Sequence, residues 1–289
     1  MIVPVLNEER NLPECLATLG DAFADILIID SGSSDRTCQI ARDAGAQVIQ
    51  FTWGGGYPKK RNWALDHHEF ATPWVLFVDA DERVTPAFIA EAARAVPNSA
   101  HVGYWISYNN YFLGRPLRYG DVFRKLALFR QDAGRYERFP EESWSQLDME
   151  VHEHPVLAGS VGEMTERIEH HDQRSLEHYI EKHEQYAAWE ANRWAWLQQA
   201  GVDAWRQLTP RQRFKYRHFP SWWLPWAYFL ATYVGKRGFL DGVAGWQFAS
   251  LKRRYFQSIH RRIRKELPRG AAGLAAVRKC SDGDRGGRS

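Results

Sequence analysis

Trp74-Val75-Leu76-Phe77-Val78-Asp79-Ala80-Asp81-Glu82 is the stretch on which the reading of this chain turns. An unbroken apolar run of this length makes a strand buried on both faces, as in the middle of a parallel sheet, and here it stops abruptly at three carboxylates. In an open α/β sheet, ligands sit in the crevice outside the carboxyl ends of the strands. Acids gathered there would repel one another without a cation. The cluster therefore reads as a site for Mg²⁺ or Mn²⁺, hard ions that share oxygen ligands with phosphates. An Asp-x-Asp alone arises by chance about once in a chain of this size, so its place directly after a buried strand gives it its weight.

Working outward, Ile2 to Leu6 is a second apolar run, followed by a helix in which Leu12, Cys15, Leu16 and Leu19 share a face. Ile26 to Asp30 and Gln47 to Phe51 read as strands, and the helix between them is capped by Ser34 or Asp35 and ended by Gly45. Such alternation predicts a parallel sheet. Three strand ends, Val5 to Asn7, Asp30 to Ser31 and Asp79 to Asp81, then converge on one crevice. Helices are expected over Tyr57 to His67 and Pro86 to Val96, and shorter, partly alternating strands over His101 to Arg130. Gln131 to Glu150 reads as polar loop, and a long helix is capped by Ser175 and ended by Gly201.

The length, 289 residues, allows one large α/β domain or one domain with an appendage. Three unpaired-looking cysteines give no disulfide framework or zinc site, and Asn7 to Arg10 interrupts the short apolar start before a signal sequence can form, so a cytoplasmic location is expected. The net charge of +3 names no partner, but its distribution does more. Ala204 to Leu240 holds seven Lys or Arg and no acid, and Lys252 to Glu266 holds seven more against one. Between them Trp222 to Val234 is apolar and aromatic but too short to span a bilayer. Two readings fit: a segment lying in the headgroup layer of an anionic membrane, or aromatics that close the core or a dimer interface. Nucleic acid is not expected as a partner.

Other residues carry chemistry. Asp30-Ser31-Gly32-Ser33-Ser34-Asp35 either offers backbone N–H groups to a nucleoside or phosphate or is a capped turn. Gly54-Gly55-Gly56 before Lys59, Lys60, Arg61 and Asn62 is either a loop with cationic donors or a solvated basic face. Glu153, between His152 and His154, can take a proton from an attacking hydroxyl, with Glu150 as its rival. His170 and His171 could reach a metal or phosphate.

Val3-Pro4-Val5-Leu6-Asn7-Glu8-Glu9, Ile28-Ile29-Asp30-Ser31-Gly32-Ser33-Ser34-Asp35-Arg36-Thr37 and Val78-Asp79-Ala80-Asp81-Glu82-Arg83, in this order, resemble family 2 glycosyltransferases of the GT-A fold. Asn109 to Arg115, Val151 to His154, His170 with Ser175 and Tyr179, and Gly238 to Gly242 resemble its bacterial branch that builds lipopolysaccharide cores and other envelope glycans. The likeness covers about residues 1–267. It implies an α/β, Rossmann-like mixed sheet flanked by helices, with a helical, basic and aromatic C-terminal extension. The divisions are a catalytic domain over 1–172 (donor side 1–100, acceptor side 101–172), the extension over 173–267 and a disordered tail over 268–289.

The resemblance further implies a metal-dependent, inverting transfer from a nucleotide-diphosphate sugar, UDP-linked by preference, to a saccharide or lipid-linked acceptor. Pro4, Asn7, Glu9 and Asp30 would line the nucleoside pocket, Arg61 and Asp79 would lie near the donor, Asp81 and His170 would hold the cation and Glu153 would be the base. The enzyme would be peripheral on the inner face of the cytoplasmic membrane. The rival readings are a same-fold transferase acting on a lipid phosphate or protein, and a non-catalytic scaffold that binds nucleotide sugar or membrane. Two departures stand out: the chain starts a few residues short of the family's usual opening, and Gln131 to Glu150 is longer and more acidic than usual.

Overall fold

A computed structural model describes residues 1–112, 114–120, 123–138, 144, 145, 147, 148, 154–171 and 176–266. Glu150, His152, Glu153, Ser175 and the expected tail lie outside the described residues.

The first half runs β1 (Ile2–Val5), α1 (Leu12–Ala17), β2 (Leu27–Asp30), α2 (Thr37–Asp43), β3 (Gln47–Gln50), α3 (Lys60–His67) and β4 (Trp74–Leu76). β1, β2 and β3 are parallel, with Val3 opposite Ile28 and Ile28 opposite Val48. A parallel bridge between Ile2 and Phe77, and a 3.0 Å bond from the Val78 N–H to the Ile2 carbonyl, lay the end of the β4 run beside β1. The apolar runs are continuous because both faces are covered. Val3, Val5, Ile28, Leu76 and Val78 face one core with Leu12 and Leu16, whereas Ile2, Leu27, Ile29, Val75 and Phe77 face another with Ala64 and Leu65. Alternate side chains of one strand thus serve two helix layers.

After the acids come β5 (Glu82–Arg83), α4 (Pro86–Ala95), β6 (Gly103–Phe112), β7 (Arg115–Leu117), β8 (Arg124–Arg130), β9 (Gly134–Tyr136), β10 (Pro155–Leu157), β11 (Val161–Glu163) and β12 (Ile168–His171). β8 lies antiparallel between β4 and β6, with Leu76 opposite Leu128. β12 runs parallel to β6 and antiparallel to β5, so the strand after the acid cluster returns to the same sheet. Two expectations shift. Gln131 to Glu150 is not all loop, since β9 pairs with β10 and buries Tyr136 against Phe77 and Phe129; three residues are too few for periodicity to register. α3 begins at Lys60 rather than Tyr57, because a residue before proline is driven from helical geometry and Lys59 remains extended.

The C-terminal region is helical: α5 (Leu176–Gln199), α6 (Gly201–Gln207), α7 (Pro210–His218), α8 (Leu224–Leu230), a π turn (Ala231–Gly235), a 3₁₀ turn (Gly238–Asp241) and α9 (Gly242–Glu266). α7 opens with a capping box between Thr209 and Gln212. Ala191, Trp194, Tyr216, Phe219, Phe256 and Ile259 form a core of their own, with Tyr228 stacked 3.6 Å from Phe256. The two readings of the aromatic segment therefore divide it, for Trp223 and Tyr228 pack on this core while Trp222 and Trp226 stay exposed. No helix among the described residues is long and apolar enough to cross a membrane.

Candidate active site

The ends of β1 and β2 are stitched to each other. Asn7 takes a left-handed backbone (φ 54°), which turns its N–H onto the Ser33 hydroxyl (2.8 Å) and lets its side-chain oxygen accept from the Ser34 N–H (2.9 Å). The Glu8 N–H donates to the Thr37 hydroxyl, and the Glu9 N–H to Asp35 (3.2 Å). Glu9 in turn accepts from the Arg36 side chain at 3.3 Å. Asp30, nearly fully buried, accepts from the N–H groups of Gly32 and Ser33, and Gly32 supplies the positive φ (87°) the turn needs. Burial pushes the Asp30 carboxyl up, but the Ser33 bonds outweigh it and hold it below its usual range. Pro4 is buried within β1, opposite Ile29. Asp35, not Ser34, meets the start of α2, accepting from the Thr37 N–H at 2.9 Å.

The acid cluster is layered with cations. Arg61 donates to Asp79 Oδ1 at 3.0 Å, and Lys125, from β8, donates both to Asp79 Oδ2 and to Glu82 Oε1. Glu82 is fully buried and its other oxygen accepts from the Asp79 N–H at 3.0 Å. Burial raises the Asp79 carboxyl, yet the charges of Lys125 and Arg61 prevail and hold it far below the ordinary carboxylate range. For Glu82 burial prevails over Lys125 and the carboxyl is raised.

Asp81, at 7% exposure, belongs to a different pair. Its Oδ2 stands 3.4 Å from His170 Nε2, whose opposite ring nitrogen is 3.2 Å from the Asn110 side-chain oxygen. The His171 N–H fixes the Asp81 carbonyl at 2.7 Å, so β12 holds the whole residue in place. Burial works against the charged carboxylate, but the adjacent His170 charge depresses the Asp81 carboxyl strongly, and Asp81 raises His170 against its own burial. With Nδ1 turned to Asn110, a neutral His170 would aim an Nε2 lone pair at the Asp81 oxygen, an arrangement that suits a shared cation. Among the described residues no three His, Cys, Asp or Glu gather to hold a metal. Asp81 and His170 supply two donors, and Mg²⁺ usually takes one or two protein ligands and completes its shell with water and phosphates. The donor set thus fits an ion that arrives with a diphosphate.

A second layer lies under the β1 end. Lys60, 1% exposed, donates to the Val5 carbonyl (3.1 Å) and pairs with Asp148 (3.0 Å), while Asp148 accepts from the Ser31 hydroxyl. The Lys59 to Asn62 segment is therefore not a solvated basic face: Lys59, Lys60 and Asn62 are buried, and Asn62 bonds both ways to the Tyr136 backbone. His154 stands edge-on to Trp105 at 5.2 Å. Among the expected site residues, the structure joins Asn7, Glu9 and Asp30 in one stitched loop pair, Arg61 with Asp79, and Asp81 with His170; Glu153 lies outside the described residues. Lys125 and Asp148 also belong to the site, although neither lies in a motif of the sequence. The only local signal for Lys125 was a cationic pair, Arg124-Lys125, heading the apolar run Leu126 to Phe129.

Residues 1–143 match the family described as Glycosyl transferase family 2. The lipopolysaccharide core biosynthesis glycosyltransferase LpsC of Rhizobium meliloti (strain 1021) is 28% identical over 261 residues, which cover 85% of this chain and 87% of that protein. Glycosyltransferase AglJ of Haloferax volcanii is 34% identical over 82 residues, 28% of this chain and 26% of that protein, so this chain spans about a quarter of its length. Among solved structures, residues 1–349 of S. aureus TarS are similar over 93% of this chain and 92% of that one, at 14% identity and a TM-score of 0.39. The mixed sheet with flanking helices and the helical C-terminal region agree with the GT-A architecture expected from the sequence. The chain is a glycosyltransferase, and its residues 1–143 form a glycosyl transferase family 2 domain.

Proposed function

We propose that this enzyme moves a sugar, with inversion, from a nucleotide-diphosphate donor, UDP-linked by preference, to a saccharide or lipid-linked acceptor in an envelope glycan of the lipopolysaccharide-core type. The observation that carries the reading is the pairing of Asp81 with His170, and of Asp79 with Arg61 and Lys125, at the end of the β4 run beside the stitched loops of β1 and β2. The similarity to LpsC over most of both chains supports the acceptor class.

In this reading Asn7, Glu9 and Asp30 shape the nucleoside pocket above Pro4, and Arg61 and Asp79 face the donor sugar and diphosphate. Asp81 and His170 would hold Mg²⁺ or Mn²⁺, which would neutralise charge on the departing diphosphate. Glu153 takes the proton from the acceptor hydroxyl as that oxygen attacks the anomeric carbon, and Glu150 is next in line for the role. A single displacement of this kind inverts the centre. Residues 1–172 form the catalytic part and 173–267 an extension that meets the inner face of an anionic membrane.

Transfer from a labelled UDP-sugar tests the reading. Asp81→Asn is expected to lose metal-dependent transfer by at least about 10²-fold, and Glu153→Gln to keep donor-induced thermal stabilisation while losing transfer. Wild-type rates from Asp81→Asn with metal present would overturn the assignment.

A further inference from the structure

Between Trp222 and Trp246 the chain doubles back through α8, the π turn, the 3₁₀ turn and the first residues of α9. Along the first arm every fourth residue faces out: Trp222 is 73% exposed, Trp226 50%, Leu230 55% and Val234 56%, whereas Leu224 and Thr232 are buried. Val243 (68%) and Trp246 (53%) add to the surface from the second arm. More than half of the exposed large apolar residues among those described fall within this hairpin. Exposed large apolar side chains gathered on one short hairpin mark an interaction surface.

Its charge selects the partner. From Ala204 to Leu240 there is no Asp or Glu, Lys236 and Arg237 stand at the tip, and Arg253 lies 4.3 Å over the Trp226 ring. The first acid, Asp241, is committed to the chain itself, accepting from the N–H groups of Arg118 (3.1 Å) and Tyr119 (2.9 Å). A second copy would bring the same positive charge against this face, which disfavours self-association. Aromatic and aliphatic side chains bordered by cations suit the interfacial layer of an anionic bilayer, and the arms are too short to cross one.

The hairpin tip is also keyed to the acceptor side. The Gly120 N–H donates to the Lys236 carbonyl at 3.0 Å, and a Cβ on Gly238 would stand 3.4 Å from the Gly120 Cα and 2.8 Å from the Thr232 carbonyl, so the turn that meets Gly120 needs glycine at 238. Past it, Lys125 lies 5.3 Å over the Phe123 ring and reaches Asp79. We infer that the Trp222 to Trp246 hairpin docks the enzyme on an anionic membrane by shallow insertion, with the Asp241 clamp on Arg118 and Tyr119 holding the acid cluster at a set height above the lipid. This deepens, and rests on, the membrane partner in the function proposed above.

The test is flotation of the full chain with vesicles of phosphatidylglycerol and phosphatidylcholine in equal parts, against phosphatidylcholine alone, at low and high salt. The wild type is expected to float with the anionic vesicles at low salt. Trp222→Ser/Trp226→Ser/Trp246→Ser should weaken that binding by at least about tenfold while keeping donor-induced thermal stabilisation. Undiminished flotation by the triple variant, no flotation at low salt, or a dimer in solution that the triple variant dissolves would each overturn the inference. Loss of donor stabilisation in the wild type would instead count against the proposed donor site, so the two failures separate.

Discussion

Lys125 reaches from the start of β8 to the Asp79 carboxylate, 46 residues away in sequence, and ties it to the fully buried Glu82. Asp79 and Asp81 are therefore not an equivalent pair of acids. The first is committed to two cations, Arg61 and Lys125, and the second faces His170.

Removing Lys125 should cost stability out of proportion to one surface lysine. Lys125→Met removes the cation bonded directly to the buried Glu82 carboxylate, and breaking a buried pair costs about 3–5 kcal/mol. Lys125→Met/Glu82→Gln should recover much of that. Urea unfolding of the two single variants and the double closes the cycle; purely additive losses would mean that the pair is not coupled.

Asn7 should tolerate glycine better than alanine. Both substitutions lose the bond from the Ser34 N–H, worth about 1 kcal/mol, but only alanine also pays for a left-handed backbone, about 1–2 kcal/mol. Equal unfolding midpoints for Asn7→Gly and Asn7→Ala would argue against the backbone as the reason for asparagine here.

Asp148→Ala should cost about 2 kcal/mol at neutral pH, because it takes the ion-pair partner from the buried Lys60 ammonium and leaves it the bond to the Val5 carbonyl. Burial already holds the Lys60 ammonium below its ordinary range against the pull of Asp148. Without Asp148 the folded state releases that proton at lower pH than the unfolded chain does, so the variant's stability should rise with pH as Lys60 deprotonates. The penalty should thus shrink toward alkaline pH in parallel denaturation series; a penalty that stays constant or grows would contradict the pairing.

The strands, the helices between them and the acid cluster were legible in the sequence because they rest on local patterns. A continuous apolar run declares burial on both faces, as β1, β2 and β4 show by sending alternate residues to two cores. The motifs at the ends of those strands marked Asn7, Asp30 and Asp81 through their residue types and order. What could not be read was everything that depends on which strands become neighbours. β9 was hidden because three residues carry no period, and Lys125 gained its place only because β8 inserts antiparallel between β4 and β6. Asp148 meets Ser31 across 117 residues for the same kind of reason. The aromatic segment shows the division most clearly. Its composition announced an unusual surface or core, but only helix packing decided that Trp223 and Tyr228 turn inward while Trp222 and Trp226 face out. Periodicity is written along the chain, whereas a contact between distant residues is selected by the sheet order and packing of the whole molecule.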